Sequence, residues 1–368
     1  MPPKGHGGTS YGSPQGPGTR SPAAGPRSAN LSEVPRYLIT GGAGFIGSHL
    51  AEALLAAGNQ VSVLDSLSTG RLSNLAGVRD HPNFSFTQGS VLDEIAVDQA
   101  VRACDVVVHL AAAVGVKLIV EQPLYSLTTN IKGAISVLEA AHRYRRKVMV
   151  ASSSEIYGKN NSGPLKETSD GIVGSPAVAR WAYSTSKAVD EILAYAYHRE
   201  RGLPTLVVRL FNTVGPRQSP AYGMVVPRFV RQALAGEDLT VYGDGAQTRC
   251  FCHVADVVDA LVKLLEEPDA EGDVFNVGSG EEISVEELAR AVIRRTGSSS
   301  GVVHVPYEVA YEAGFEDMAR RVPDTSKVRA LIGWEAKRTL TEILDDVIAE
   351  ARAEQASLCE LGSNEQHP

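Results

Sequence analysis

Tyr183 and Lys187 lie four residues apart in Tyr183-Ser184-Thr185-Ser186-Lys187, a spacing that puts both on one face of a helix. An ammonium beside a phenol stabilises phenolate and brings a group that ionises at about pH 10 towards use as a general base. Upstream, Ala151-Ser152-Ser153-Ser154-Glu155-Ile156-Tyr157-Gly158 follows the apolar run Val148–Ala151. That puts hydroxyls and a carboxylate at the carboxyl edge of a strand, where open α/β sheets bind ligands. A third group is Thr40-Gly41-Gly42-Ala43-Gly44-Phe45-Ile46-Gly47, with Asp65 following 18 residues after Gly47. Glycines there let the backbone turn tightly and approach a pyrophosphate, and a helix N-terminus offers unpaired N–H groups to it. A carboxylate closing the next strand accepts hydrogen bonds from both ribose hydroxyls and repels a 2′-phosphate, so the pattern favours NAD over NADP.

These groups need a scaffold, and the pattern of the chain supplies one. Short apolar strands at Tyr37–Thr40, Val61–Asp65, Phe84–Thr87, Val106–Leu110, Val148–Ala151 and Thr205–Leu210 alternate with helical patterns. The first helix spans Phe45 to about Ala57, and the longest span Leu124–Arg143 and Val178–Arg201. This alternation predicts a Rossmann-type α/β fold, a doubly wound parallel sheet with right-handed crossovers, over residues 36–212. Beyond Asn212 the rhythm loosens: Val225–Leu234 and Val254–Leu265 read as helices, with strands near Leu239–Val241 and Val274–Val277. A smaller, discontinuous substrate-binding lobe over 213–353, with segments returning to the first part, is the expectation.

Residues 1–35 hold seven Gly and seven Pro with almost no large apolar side chains, too little to offset ordering entropy. A disordered extension lacking the apolar core of an export signal is expected there, and a flexible tail over 354–368. The 368 residues are 43% hydrophobic and carry a net charge of −8. That composition suits a globular cytoplasmic protein and gives no general electrostatic reason to bind nucleic acid. No apolar run approaches the ~18 residues of a membrane span. Cys104, Cys250, Cys252 and Cys359 are too scattered for a disulfide framework, and Cys250 with Cys252 lacks a second pair at zinc spacing, so no metal is expected. Asn160-Asn161-Ser162 fits a glycosylation acceptor but has no export signal to give it meaning.

Taken together, these motifs resemble the extended short-chain dehydrogenase/reductase family that modifies nucleotide sugars. The resemblance covers about residues 36–353 and rests on TGGAGFIG, Asp65 with Ser68-Thr69-Gly70, His109-Leu110-Ala111-Ala112, Asn130, the Ser153/Tyr183/Lys187 set and Arg209-Leu210-Phe211-Asn212-Thr213-Val214-Gly215-Pro216-Arg217. It implies that Ser153 orients a substrate hydroxyl, Tyr183 is the base, and Lys187 tunes it and holds the nicotinamide ribose. It further implies NAD contacts at Gly41, Gly44, Phe45, Ile46, Gly47, Asp65, Ser68, Thr69, Gly70, Val91, Leu110, Ala111, Ala112 and Asn130. Substrate contacts are implied at Lys117, Ser154, Asn212, Arg228, Arg249 and Arg321, with Asn212 and Arg249 at the diphosphate. A homodimer is implied through a four-helix interface made by the two long helices, which carry more apolar positions than one sheet face needs.

Such enzymes oxidise the sugar's 4-hydroxyl and differ in what the 4-ketone then does. Ser153-Ser154-Glu155-Ile156-Tyr157-Gly158, Leu239–Arg249, Arg320-Arg321-Val322-Pro323-Asp324 and Ile332-Gly333-Trp334-Glu335 are similar to UDP-glucuronate decarboxylases, which yield UDP-xylose. Two segments depart from that pattern, Ala113-Val114-Gly115-Val116-Lys117 and Gly174–Ala179, so the sugar is open. The alternatives are a UDP-sugar 4-epimerase, then a 4,6-dehydratase, weakened by Ser154 where an acid is needed, and, outside enzymes, an NAD-binding regulator or scaffold. For decarboxylation, an ionised Glu155 is expected to repel the bound uronate by several kcal/mol at ~4 Å and an effective dielectric near 20, a repulsion relieved as carbon dioxide leaves.

Overall fold

The computed structural model describes residues 34–310, 318 and 320–364; the Gly/Pro-rich extension falls outside these up to residue 33. Six strands, β1 (Arg36–Thr40), β2 (Gln60–Asp65), β3 (Phe84–Gln88), β4 (Val106–His109), β5 (Lys147–Ser153) and β6 (Thr205–Leu210), join the strand Val274–Val277 in one sheet. Its order is Val274–Val277, β6, β5, β4, β1, β2, β3, and every pair is parallel. The register aligns the carboxyl ends: Thr40 lies opposite both Leu64 and His109, and Ser153 opposite Leu210. The glycine turn, Asp65, the loop after His109 and the Ser153–Glu155 segment therefore leave one edge of the sheet.

Both faces are covered, which explains why the strands read as continuous apolar runs. Successive residues of a strand point to opposite faces. Val148 and Val150 pack with Val107, Val137, Leu138 and Ala194 under helices α4 (Pro123–Tyr144) and α5 (Trp181–Arg201), while Met149 joins the opposite core with Ile39, Leu50, Leu54 and Leu261. That second core lies under α1 (Phe45–Ala56) and α7 (Val254–Glu266). The sheet order reverses between β1 and β4, so a crevice opens there at the carboxyl edge. Of the remaining helices on this part of the chain, α2 (Glu94–Arg102) flanks α4 and α3 (Val116–Glu121) is a single short turn before it.

After β6 the chain builds a third core from α6 (Val225–Ala235), α8 (Val285–Thr296) and the helix Leu340–Asn364, with Phe229, Val230, Leu239, Leu288, Val292, Ile343 and Leu344 buried together. The strand Leu239–Tyr242 pairs with Val302–Val305, and Thr248–Cys250 pairs with both Glu282–Ser284 and Arg320–Arg321. The terminal helix runs past residue 354 to Asn364. Helix α5 starts at Trp181 rather than Val178, because residues 175–182 make successive tight turns, Val178 N to Ser175 O and Trp181 N to Val178 O. No helix among the described residues is long and apolar enough to cross a membrane.

Candidate active site

One cavity of about 530 Å³ follows the crevice from the glycine turn to the third core. At one end, Gly44 opens α1 with no side-chain cap, so the first N–H groups of the helix are left to face a ligand. Gly41 adopts φ +74°, and a Cβ there would come within 2.7 Å of Ala111 N; only glycine lets the turn lie against the end of β4. Asp65 closes β2, buried, with Oδ2 accepting from Ala43 N at 2.9 Å and Oδ1 from Leu67 N at 2.8 Å. Burial raises its pKa, and the two backbone donors pull the other way. The backbone thus holds the carboxylate at the lip of the glycine turn.

At the middle of the cavity β5 delivers Ser153 and α5 delivers Tyr183 and Lys187, all three among the lining residues. Ser153 Oγ accepts from Glu155 N at 3.2 Å, and the Ser153 hydroxyl favours the Tyr183 phenolate. Lys187 Nζ donates to Ala151 O and to Asp190 Oδ2, each at 3.0 Å. The ammonium lowers the Tyr183 pKa as the spacing predicts, yet desolvation is the larger influence and the phenol ends up above its ordinary value. Periodicity cannot report burial, so that outcome was not readable beforehand.

Beyond them sits a cluster of three buried charges. Glu155 Oε2 lies 2.5 Å from Arg180 Nη1, and Oε1 lies 2.7 Å from Arg321 Nη1. Arg321 also donates to Ser154 Oγ at 3.2 Å and, through Nη2, to Met318 Sδ at 3.0 Å. Burial works against the Glu155 charge, but the two guanidiniums outweigh it and hold the pKa at about 2. This corrects the expectation that an unscreened Glu155 would repel an incoming carboxylate: two cations and one anion leave a net positive site. Arg321 Nε is buried without a hydrogen-bond partner among the described residues.

Residues 38–347 match the model of the GDP-mannose 4,6 dehydratase family. The chain belongs to this family. It is 41% identical over 310 residues to the UDP-N-acetyl-alpha-D-glucosaminuronate decarboxylase of Bacillus cytotoxicus, covering 82% of this chain and 94% of that one. UDP-glucuronic acid decarboxylase 3 of Arabidopsis thaliana is 37% identical over 308 residues, 83% of this chain and 86% of that protein. Among solved structures, UDP-glucuronic acid 4-epimerase from Bacillus cereus, determined with UDP-glucuronic acid and NAD, superposes with a TM-score of 0.79 at 28% identity, covering 87% of this chain and 99% of that one. The resemblance read from the motifs holds, and the chain is an enzyme of this nucleotide-sugar family.

In this family member most of the anticipated residues converge. Gly41, Gly44, Phe45, Ile46, Gly47, Asp65, Ser68, Thr69, Val91, Leu110, Ala111 and Ala112 line the cavity's glycine-turn side, and Ser154, Asn212, Arg228, Arg249 and Arg321 its far side. Asn212 holds a strained φ of +25° while its Nδ2 donates to Cys250 O at 2.9 Å. Arg249 donates to Thr248 O and Met318 O, both at 2.8 Å. The Arg228 guanidinium lies 4.3 Å from the Tyr242 ring centre. Three residues stand outside the lining. Asn130 is buried behind it, accepting from Ala113 N at 2.8 Å and donating to Ser186 Oγ at 3.1 Å, so it ties the loop after β4 to α5. Gly70 packs behind Asp65, where a Cβ would lie 3.0 Å from Oδ2. Lys117 is exposed and faces Glu121 at 3.9 Å.

Sequence reasoning named no role for Arg180, Asp190, Tyr242 or Tyr307. Arg180 stood in plain view within Arg180-Trp181-Ala182-Tyr183, three residues before the phenol, and that adjacency was the available signal. Tyr307 carries no such mark; it lines the cavity with its hydroxyl accepting from Gln247 Nε2 at 3.1 Å. Cys104, Cys250 and Cys252 are buried free thiols, and no group of metal ligands occurs among the described residues.

Proposed function

We propose that this enzyme decarboxylates a UDP-hexuronate, UDP-glucuronate to UDP-xylose, through a 4-keto intermediate with resident NAD. The observation that carries this reading is the Arg180–Glu155–Arg321 cluster. Its net positive charge is buried, and the Arg321 Nε donor lacks a partner among the described residues, so a substrate carboxylate would meet charge complementarity where a neutral hydroxymethyl group would leave that one donor unsatisfied. The uncapped α1 N-terminus, the glycine turn and Asp65 fit an NAD pyrophosphate and adenosine ribose.

NAD, when bound, accepts a hydride from carbon 4 and later returns it. On this reading Ser153 fixes the 4-hydroxyl and Tyr183 takes its proton, while Lys187 offsets the phenolate charge. The resulting ketone lies β to the carboxylate, so cleavage of the bond to carbon dioxide sends its electron pair into the carbonyl. A proton must then be returned to carbon 5, and on this reading the carboxylate departs from the part of the cavity that Glu155, Arg180 and Arg321 line. Residues 36–212 serve the cofactor and 213–353 mainly the sugar nucleotide, with Asn212 and Arg249 at the diphosphate.

A second reading changes the substituent on carbon 2 from hydroxyl to acetamide, favoured by the Bacillus cytotoxicus relative and by the divergent segment Ala113–Lys117, where Gly115 takes φ +114°. Incubation with UDP-glucuronate, UDP-N-acetylglucosaminuronate and UDP-glucose, with carbon dioxide and product masses followed, tests both. Carbon dioxide from either uronate supports the reaction class; conversion to a 4-epimer with none released overturns it. We also infer a homodimer. Helix α5 leaves Ala188, Val189 and Ala196 half-buried and Ile192 65% exposed, and on the neighbouring α4 Leu124 is 77% exposed. Two adjacent helices with apolar outer faces suit pairing with a second copy.

A further inference from the structure

Lys187 has a buried anion of its own. Its Nζ lies 3.0 Å from Asp190 Oδ2, one helical turn along α5, and both side chains are buried. The neighbouring carboxylate cannot serve instead: Glu191 is engaged by Arg209, which donates to it through Nε at 2.9 Å and Nη2 at 2.7 Å. Asp190 Oδ1 has no hydrogen-bond partner among the described residues, so Lys187 is the group that offsets its charge. With Ala151 O as the second acceptor, two of the three ammonium hydrogens are fixed and the third is left for the cavity that Lys187 and Tyr183 both line.

We propose that Asp190 is a positioning residue for the Tyr183–Lys187 pair: through the contact with Nζ it holds the ammonium aimed and charged, and its own negative charge limits how far that ammonium stabilises the Tyr183 phenolate. The proposal rests on the reading of Tyr183 as the base. A buried ammonium without a counter-ion is costly and tends to lose its proton. One with a permanent counter-ion stays charged, but its field at the phenol is partly cancelled. Asp190 thus exchanges some phenolate stabilisation for a cation that does not titrate away.

Glu155, from the loop after β5, also disfavours phenolate but is held between Arg180 and Arg321. Glu191 is neutralised by Arg209 of β6. His109 of β4 is wholly buried, accepts or donates at Nδ1 with Thr40 Oγ1 at 2.8 Å, and is kept neutral, its pKa lowered to about 3 by burial and by Lys187. Asp190 is the remaining anion in contact with Lys187.

Asp190→Asn removes the anion, which makes phenolate easier to form and ammonium harder to keep, so both midpoints fall. In the holoenzyme, both limbs of the kcat/KM pH profile should move to lower pH, the upper, Lys187 limb by about one unit, the lower end of the shift for a charge in contact, and the lower, Tyr183 limb by less, since Asp190 acts on the phenol from beyond Lys187. A packing defect alone would lower the rate without moving both limbs together. The ultraviolet difference titration of phenol to phenolate, with Tyr183→Phe as blank, gives the Tyr183 midpoint without substrate, so failure of the decarboxylase reading does not hide the result. Thermal melts supply a third measure: Lys187→Met, which strands the Asp190 charge, should lower Tm, and adding Asp190→Asn to it should restore most of the loss. Superimposable pH profiles and titrations, or a double variant no more stable than Lys187→Met or unable to fold, would overturn the proposal.

Discussion

At the scale of single residues, the proposed reaction separates the groups assigned to the reacting atoms, such as Tyr183, from those that set their charge, such as Asp190 and Glu155. Tyr183→Phe should leave cofactor affinity nearly unchanged while turnover drops roughly 10²–10⁴-fold, the usual contribution of a positioned acid or base; equilibrium binding of NAD and initial rates check the two halves. Glu155→Gln leaves Arg180 and Arg321 without their shared anion, so a uronate should bind at least as well as to the parent. Carbon dioxide release should slow by more than the first appearance of reduced cofactor, which rapid-quench and absorbance traces separate. The same variant has a stability signature. Glu155 titrates at about 2 in the folded chain against about 4.5 unfolded. Its ionised form therefore stabilises the fold fully above pH ~4.5, and that advantage fades as pH falls towards 2. Parent and variant should thus differ most in denaturant midpoint near neutrality and converge in acid. Asp65 and the glycine turn were legible because their chemistry is local to one strand–helix turn. The pairing of Glu155 with Arg180 and Arg321 was not, since it joins three segments distant in the chain, and only the fold decides that two cations surround the carboxylate.

Helices and strands were legible wherever apolar periodicity ran long. The strands of the main sheet and helices α1, α4, α6 and α7 sit within a few residues of their expected positions. Weaker signals failed where pairing partners are remote: the three short strands around Thr248–Cys250 carry no period of their own, and register with Glu282–Ser284 and Arg320–Arg321 defines them. Asn130 shows the same limit within a site motif, for its amide braces a loop instead of lining the cavity. Helix α1 allows a clean test of element against ligand. At Gly44 a Cβ meets only Gly41 O, at 3.1 Å, and φ is an ordinary −76°, whereas at Gly47 it would meet Gly41 O at 2.5 Å. Gly44→Val should therefore keep the fold, within about 1 kcal/mol of stability, and abolish NAD binding by filling the space before the helix N-terminus. Gly47→Val should lower Tm strongly. Calorimetric titration with NAD and thermal melts on both variants distinguish the two roles.

For the whole molecule, the outward apolar faces of α4 and α5 make assembly testable. Ile192→Glu puts a charge in the centre of the inferred interface while changing little in an isolated subunit, since surface substitutions away from special features stay within about 0.5 kcal/mol. Light scattering should report the parent at twice the mass of the variant, with circular dichroism unchanged. The sheet order holds another consequence. Val274–Val277 pairs with β6, covering the edge formed by Val207 and Val208, yet it follows β6 by the whole of α6, α7 and the segments between. During synthesis at ~5–20 residues per second, that edge waits on the order of several seconds for its partner. A nascent chain paused in this interval exposes an unpaired apolar strand, a template for pairing with its neighbours on the same message. A chain ended after Asn212 should for that reason be recovered in the insoluble fraction, and one extended through the Val274–Val277 strand should be recovered there less. Slowing translation between these two points should cost more yield than slowing it anywhere before β6.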